Sequence, residues 1–227
     1  MKVQKYFNLL RSLKELMMIH EDVDDIQLMQ RMEKDAPSFT YSFASGNTED
    51  CRFQIALEVK QQGGDGAYFL NRYEASLEYA VPAKNRRYLF QIQGGLPITS
   101  REAFNLLEGR AVCKQVTKNF SQTFDKWIQF DFTQFDKDGQ YKVMKTGEYH
   151  TFDLEAALDQ YNFEEMLTAG QKAHILHCLR RGDLHPIHLS TRKTKKLMHI
   201  CANPFDKVIS LHSLKSPEGK QQENVTE

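Results

Sequence analysis

Histidine and cysteine offer the widest chemistry of any side chains, and the C-terminal third of this chain concentrates them: His174, His177, Cys178, His185, His188, His199, Cys201 and His212. His174 and His177 lie three apart within a predicted helix, so they share a face and could grip one metal ion. His185 and His188 lie three apart on a predicted strand, where that spacing sends them to opposite faces. The parity defeats a simple four-histidine centre. Leu176 and Leu179 define the buried stripe of the helix, so solvated surface histidines are the favoured reading, and neither a metal nor another cofactor is expected. Glu58-x-Lys60, near the end of a strand, has the spacing of the acid–lysine pair in metal-dependent nucleases, with Asp50 as the upstream acid that would help hold Mg²⁺. An alternating polar strand face accounts for the same residues without chemistry. No Gly-rich phosphate loop, nucleophile elbow or HExxH is present, and nothing local makes Cys113 or Cys178 a nucleophile.

Charge is the more informative signal. Segment 170–213 carries Lys172, Arg180, Arg181, Arg192, Lys193, Lys195, Lys196 and Lys207 against Asp183 and Asp206, a net +6. Segment 148–165 carries Glu148, Asp153, Glu155, Asp159, Glu164 and Glu165 with no Lys or Arg, a net −6. Arg180, Arg181, Arg192, Lys193, Lys195 and Lys196 are therefore the candidate contacts to DNA phosphates or to a protein partner. Arg180 and Arg181 also suit the C-terminal end of a helix dipole, and lysines at a hairpin tip protect a sheet edge. No aromatic stacking platform accompanies the basic tip. The expected arrangement is an exposed basic knob at 192–196, separated by at least a Debye length of roughly 8–10 Å from most of the 148–165 carboxylates.

These residues need a scaffold, and the composition supplies one. The 227 residues hold 30 Lys+Arg and 30 Asp+Glu, so no net charge draws the chain to nucleic acid or to an anionic membrane. Hydrophobic residues make up 41%, enough for a core without disulfides or metals. No apolar run is long enough to span a bilayer, and the N-terminal MKVQKYFNLLRSLKE lacks the apolar stretch and cleavage site of a secretory signal. Cys51, Cys113, Cys178 and Cys201 are dispersed without a CxxC, as in reduced thiols of a cytoplasmic protein.

Periodicity assigns the elements. Leu9, Leu10, Leu13, Leu16 and Met17 mark an amphipathic helix over 6–19, and Ile26, Met29 and Met32 mark a second over 24–34. Period two then takes over in 39–43, 51–60, 68–79 and 88–93, an antiparallel meander apolar on one face. After Gly94-Gly95-Leu96-Pro97, Thr99 and Glu102 fit a capping box, and Gly109 closes that helix. Strands follow at 110–117, 124–135 and 140–146. In the second of these, Ile128, Phe130 and Phe132 face away from Asp125, Trp127, Gln129 and Asp131. Helices over 153–161 and 170–181 and strands over 184–190, 196–202 and 207–213 complete the chain. The fold class is thus α+β, antiparallel sheets with helices packed on one face. The expected organisation is a lobe at 1–95, a second at 96–213 and a disordered tail at 214–227.

An internal repeat supports two similar lobes. Residues 55–68 align without gaps on residues 128–141, with five of 14 positions identical. Either a duplication or the general likeness of Asp-Gly hairpins produces such a match.

Leu106-Leu107-Glu108-Gly109-Arg110-Ala111-Val112 and Trp127-Ile128-Gln129-Phe130-Asp131-Phe132 resemble a family, the domain of unknown function found in proteins of Bacteroidetes conjugative transposons and related mobile elements. The resemblance continues through Tyr68–Tyr73, Asp138-Gly139, Phe152–Glu155, Leu158, Tyr161, Leu179-Arg180-Arg181-Gly182 and Ala202-Asn203-Pro204, covering about residues 66–213. Where the family has Gly-Asn and Glu-Ala-Asn-Pro, this chain has Gly182-Asp183 and Cys201–Pro204. The resemblance implies a mobile-element context and no established enzymatic activity, and it carries over no catalytic residue.

The expected function is a non-catalytic adaptor or scaffold whose partner is a protein of a mobile-element machinery, with no membrane and no small-molecule substrate. The alternatives are an accessory DNA-binding protein using 180–196 and a metal-dependent hydrolase using the histidines or Glu58 and Lys60.

Overall fold

The structure is a computed structural model and describes residues 2–16, 25–33, 36–47, 50–62, 66–92, 96–118, 122–164, 168–190 and 195–213. Arg192, Lys193 and the expected tail at 214–227 lie outside the described residues. Among those described, the fold is α+β with three sheets, all antiparallel. No described helix is long and apolar enough to cross a membrane.

The chain divides into two compact units. Residues 1–150 with 180–182 form the first, and residues 151–179 with 183–227 the second. The first begins with α1 (Lys2–Glu15) and α2 (Asp25–Glu33). A four-stranded meander follows: β1 (Ser38–Asn47), β2 (Cys51–Gln62), β3 (Ala67–Tyr79) and β4 (Arg86–Gln91), paired in that order. Next come α3 (Ser100–Leu107) and a three-stranded meander of β5 (Val112–Lys118), β6 (Gln122–Phe135) and β7 (Tyr141–Lys145).

Alternation decides which face is covered. In β2, Phe53, Ile55, Leu57 and Val59 are buried, while Gln54, Ala56 and Glu58 between them are only half-buried. β3 changes phase partway: Tyr68 and Leu70 point inward, then Tyr73, Ala75 and Leu77 do. Those two sets have opposite parity, so one extra residue must intervene. The register supplies it, with Glu58 opposite Arg72 but Val59 opposite Leu70, leaving Asn71 as a bulge. Helices close the inward face. Leu9, Leu13 and Leu16 of the first helix segment and Leu28 and Met32 of α2 are buried in the same core. The Tyr68 hydroxyl donates to the carbonyl of Ala36 at 3.0 Å, just beyond α2.

The expected boundary at 95/96 runs through this core. Ile98, Ala103, Leu106, Leu107, Val112, Ile128 and Phe130 belong to one buried cluster with Ile55, Leu57 and Tyr73. Phe53 meets Phe104 edge-on at 5.3 Å, and Tyr88 stacks on Phe130 at 4.3 Å. A meander with a single apolar face is unstable until that face is covered, and α3 covers part of it, so the division falls after His150 instead. A second difference concerns Trp127, placed by parity on the polar face of β6 yet buried to 1% exposure. Both faces of β6 are therefore closed at its middle.

The repeat is topological as well as sequential. Each copy is a helix followed by three antiparallel strands, and Ile55 and Ile128 both lie in the middle strand. Register differs between them, since Ile55 opposes Phe43 and Ala75 whereas Ile128 opposes Val112 and Lys145.

In the second unit, Asp153 caps α4 (Leu154–Leu158) by accepting from the Ala156 amide at 3.0 Å. The unit also holds most of α5 (Ala169–Arg180) and a sheet of β8 (His185–Ser190), β9 (Lys195–Asn203) and β10 (Val208–Ser213), with β9 central. Ile187, Met198, Ile200, Ala202 and Ile209 form its buried face.

Gly182, which ends α5, has φ +80°, and a Cβ there would sit 2.7 Å from the carbonyl oxygen of Ala111. Backbone cannot yield as a flexible side chain would. Gly182→Ala is expected to destabilise the protein by about 2–3 kcal/mol, read as a lower urea midpoint at an unchanged slope.

Candidate functional site

The basic residues are placed by two turns of chain. A bridge between Phe163 and Leu189, and a bond from the Ser190 amide to the Asn162 carbonyl at 3.1 Å, hold 162–164 against the end of β8. β9 starts beside that point, with Lys195 opposite Ser190. Glu164 therefore lands on Lys195, with Oε1 to Nζ at 2.5 Å. The pairing lowers the Glu164 pKa and raises that of Lys195. Lys172 bridges Glu155 at 2.8 Å and Asp159 at 2.7 Å, because the three face one another from α4, its C-cap and α5. The expected separation of acidic from basic segments does not hold at these positions. Lys196, next along β9, is exposed.

Arg180 lies 3.7 Å from Asp125, and both remain well exposed. The main chain of Arg181 has a structural task. Its carbonyl accepts from Nδ2 of the fully buried Asn105 at 2.8 Å, and the Gly182 carbonyl accepts from Arg110 Nε at 2.8 Å. Arg110 Nη2 donates in turn to Asn105 Oδ1 at 2.6 Å. Asn105 and Arg110 thus clamp the two carbonyls that follow α5. Neither residue stood out in the sequence as a polar anchor, although Arg110 and Gly182 lie within the segments that carry the family resemblance.

Glu58 is likewise absorbed into structure. Its carboxylate accepts from Arg72 Nε at 2.6 Å, from Asn71 Nδ2 at 3.0 Å and pairs with Lys60 at 3.0 Å. Burial pushes its pKa up, but the bonds from Lys60, Arg72 and Asn71 outweigh it and hold the group below its ordinary value. A carboxylate already saturated by two cations and an amide is a poor metal ligand. Cys113 is no nucleophile either, since burial foremost, and the nearby Asp125 carboxylate, raise its pKa to about 12.

Among the described residues the histidines separate as parity requires. His188 is exposed on the outer face of β8, while His185 shares a face with the buried Ile187. His174 does not join His177. It meets Cys178, one helical turn on, with Nε2 to Sγ at 3.6 Å, and its ring lies edge-on to His185 at 5.9 Å. His174 and Cys178 stand at i, i+4 in the sequence, a spacing that places both on one helix face. On the opposite face of the sheet, Cys201 Sγ lies 3.3 Å from His212 Nε2.

A concavity belongs to the first unit. It is a groove of about 840 Å³ on the outer face of β1–β4, walled by the β6–β7 hairpin. Gln54, Glu74, Ser76, Glu78 and Arg87 line its floor and side, and Phe135 stands at its wall with 63% of its surface exposed. The hairpin is fixed there by the Leu89 amide, which donates to Gln140 Oε1 at 2.9 Å, and by the Tyr88–Phe130 stack.

The Glu58 geometry fixes a pH dependence. Its lowered folded pKa contributes stability that is present above the ordinary value of 4.5 and lost as pH falls through the folded value. Glu58→Gln is therefore expected to be less stable than the parent at pH 7, with the two urea-unfolding curves converging as pH falls through the folded value. Comparison with protein-family models, with curated proteins and with solved structures finds no match to this chain.

Proposed function

We propose that the chain is a non-catalytic interaction module, an adaptor or scaffold, serving the protein machinery of a conjugative or other mobile element. The observation that carries the interaction reading is the outer groove of the first unit. It combines an exposed aromatic ring, Phe135, with charged and hydrogen-bonding side chains of both signs, including Glu74, Glu78 and Arg87. An aromatic anchor beside a mixed polar rim is the composition of protein interfaces. The mobile-element context rests on the resemblance in 106–112, 127–132 and 179–182.

The DNA-binding reading has less support. Phosphate contact depends on cations available to displace counterions, and Lys172 and Lys195 are engaged by Glu155, Asp159 and Glu164. The hydrolase reading through Glu58 and Lys60 fares worse, because that carboxylate is already saturated.

A photo-cross-linking amino acid at position 135, introduced into the full chain in host cells, separates these readings. The expected result is one discrete protein adduct encoded by the element, weakened at least tenfold by Arg87→Glu. Salt-sensitive retardation of DNA that disappears in Lys195→Ala/Lys196→Ala, with no adduct at 135, would overturn the proposal in favour of DNA binding.

A further inference from the structure

We propose that His174, Cys178 and His185 form a zinc-class metal site in the second unit, with three protein ligands and a fourth position open to water. Among the described residues these are the one group of three metal-ligating side chains whose donor atoms all lie within 4.8 Å of one another.

The geometry is close to that of a bound ion. Zinc–sulfur and zinc–imidazole bonds of about 2.3 and 2.05 Å at a tetrahedral angle place sulfur and nitrogen about 3.5 Å apart. Cys178 Sγ and His174 Nε2 are 3.6 Å apart. One edge of the tetrahedron is thus already set. The other two edges, sulfur to His185 nitrogen and nitrogen to nitrogen, require about 3.5 and 3.3 Å, and the donor atoms already lie within 4.8 Å of one another.

Backbone elements fix each ligand. His174 and Cys178 are one turn apart on α5, so they project from one stripe. Burial of Ile175, Leu176 and Leu179 holds the helix in that orientation. His185 opens β8, and pairing with Ile200 on β9 sets its face. Cys178 is buried and His174 exposed, so the ion would sit at the edge of the core with solvent access on one side.

Ligand chemistry selects the metal class. One thiolate and two imidazoles suit a borderline-soft ion such as Zn²⁺, whereas Mg²⁺ and Ca²⁺ require oxygen donors. Binding breaks the Cys178 S–H bond, releases that proton to solvent and forms the metal–sulfur bond, with no change in oxidation state. The ion would tie the last turns of α5 to the first residue of β8 across the connection at 181–184. Cys201 and His212 make only a two-donor pair, which serves as the internal control.

The test is titration of the full-length, chelator-treated and fully reduced protein with Co²⁺, a spectroscopic substitute for Zn²⁺. One equivalent is expected to produce a thiolate-to-cobalt charge-transfer band with intense tetrahedral ligand-field absorption, bleached by one equivalent of Zn²⁺. Cys178→Ser should abolish the charge-transfer band. His174→Ala and His185→Ala should each weaken binding by more than the roughly 10–100-fold typical of outer-sphere changes, with far-ultraviolet circular dichroism unchanged. Cys201→Ser should leave the spectrum intact. If Cys178→Ser fails to fold, the two histidine variants carry the test. Absence of the thiolate band in the folded parent, or a band that survives both histidine substitutions or vanishes in Cys201→Ser, would overturn the proposal. Each result is independent of the cross-link at position 135.

Discussion

Asn105 has no solvent exposure and uses both ends of its amide, donating from Nδ2 to the Arg181 carbonyl and accepting at Oδ1 from Arg110. Arg110 completes the arrangement by donating Nε to the Gly182 carbonyl. A helix leaves its last carbonyls without intrahelical partners, and here two carbonyls just past α5 are met by side chains from α3 and from the connection that leads into β5. Gly182 is required at the contact because the Ala111 carbonyl occupies the place of a Cβ. Loss of one partner would leave the other's donor or acceptor buried and unmet, at about 1–3 kcal/mol per group. Segments 105–112 and 180–182 are held together by this clamp, and the chemistry that draws them together is architectural.

A second constraint follows from one-sided meanders. β1–β4 and β5–β7 each need cover, and they obtain it from helices of their own copy and from each other. Tyr73 stacks on Phe90 at 4.9 Å, and Tyr88 on Phe130 at 4.3 Å, so aromatic contact passes from β3 through β4 to β6. The Tyr73 hydroxyl, buried at the centre, donates to the Ile98 carbonyl at 2.7 Å just ahead of α3. Thr99 and Glu102 cap that helix reciprocally, and Glu102 also binds Lys114 of β5 at 2.8 Å. The groove is a by-product of this packing, since the hairpin that covers β4 also overhangs the outer face of the sheet.

Much of this was legible from residue spacing. The strand parity of β2, the capping box at Thr99, the helix start near 153 and the glycine ends at 109 and 182 are local, and local patterns suffice to read them. What was not legible depends on contacts distant in sequence. The bulge at Asn71 shows only once Glu58 and Arg72 are paired across strands. Trp127 reads as polar-facing until the second side of β6 is found closed. The acidic and basic segments look separable in one dimension, but the bridge of Phe163 to Leu189 brings Glu164 onto Lys195. His174 and Cys178 were readable as an i, i+4 pair, whereas the approach of His185 required the turn after α5.

Native-state hydrogen exchange on the full chain addresses the central claim, that both helix-plus-meander copies form one cooperative body closed by the clamp. Amides of β2, β3, β5 and the middle of β6 should open with a common free energy equal to that of global unfolding, and the Arg110 amide, which donates to the Asn105 carbonyl at 2.9 Å, should open with them. Separate opening of 112–145 at a free energy well below that of 51–79 would contradict the account, and would restore a boundary near residue 95.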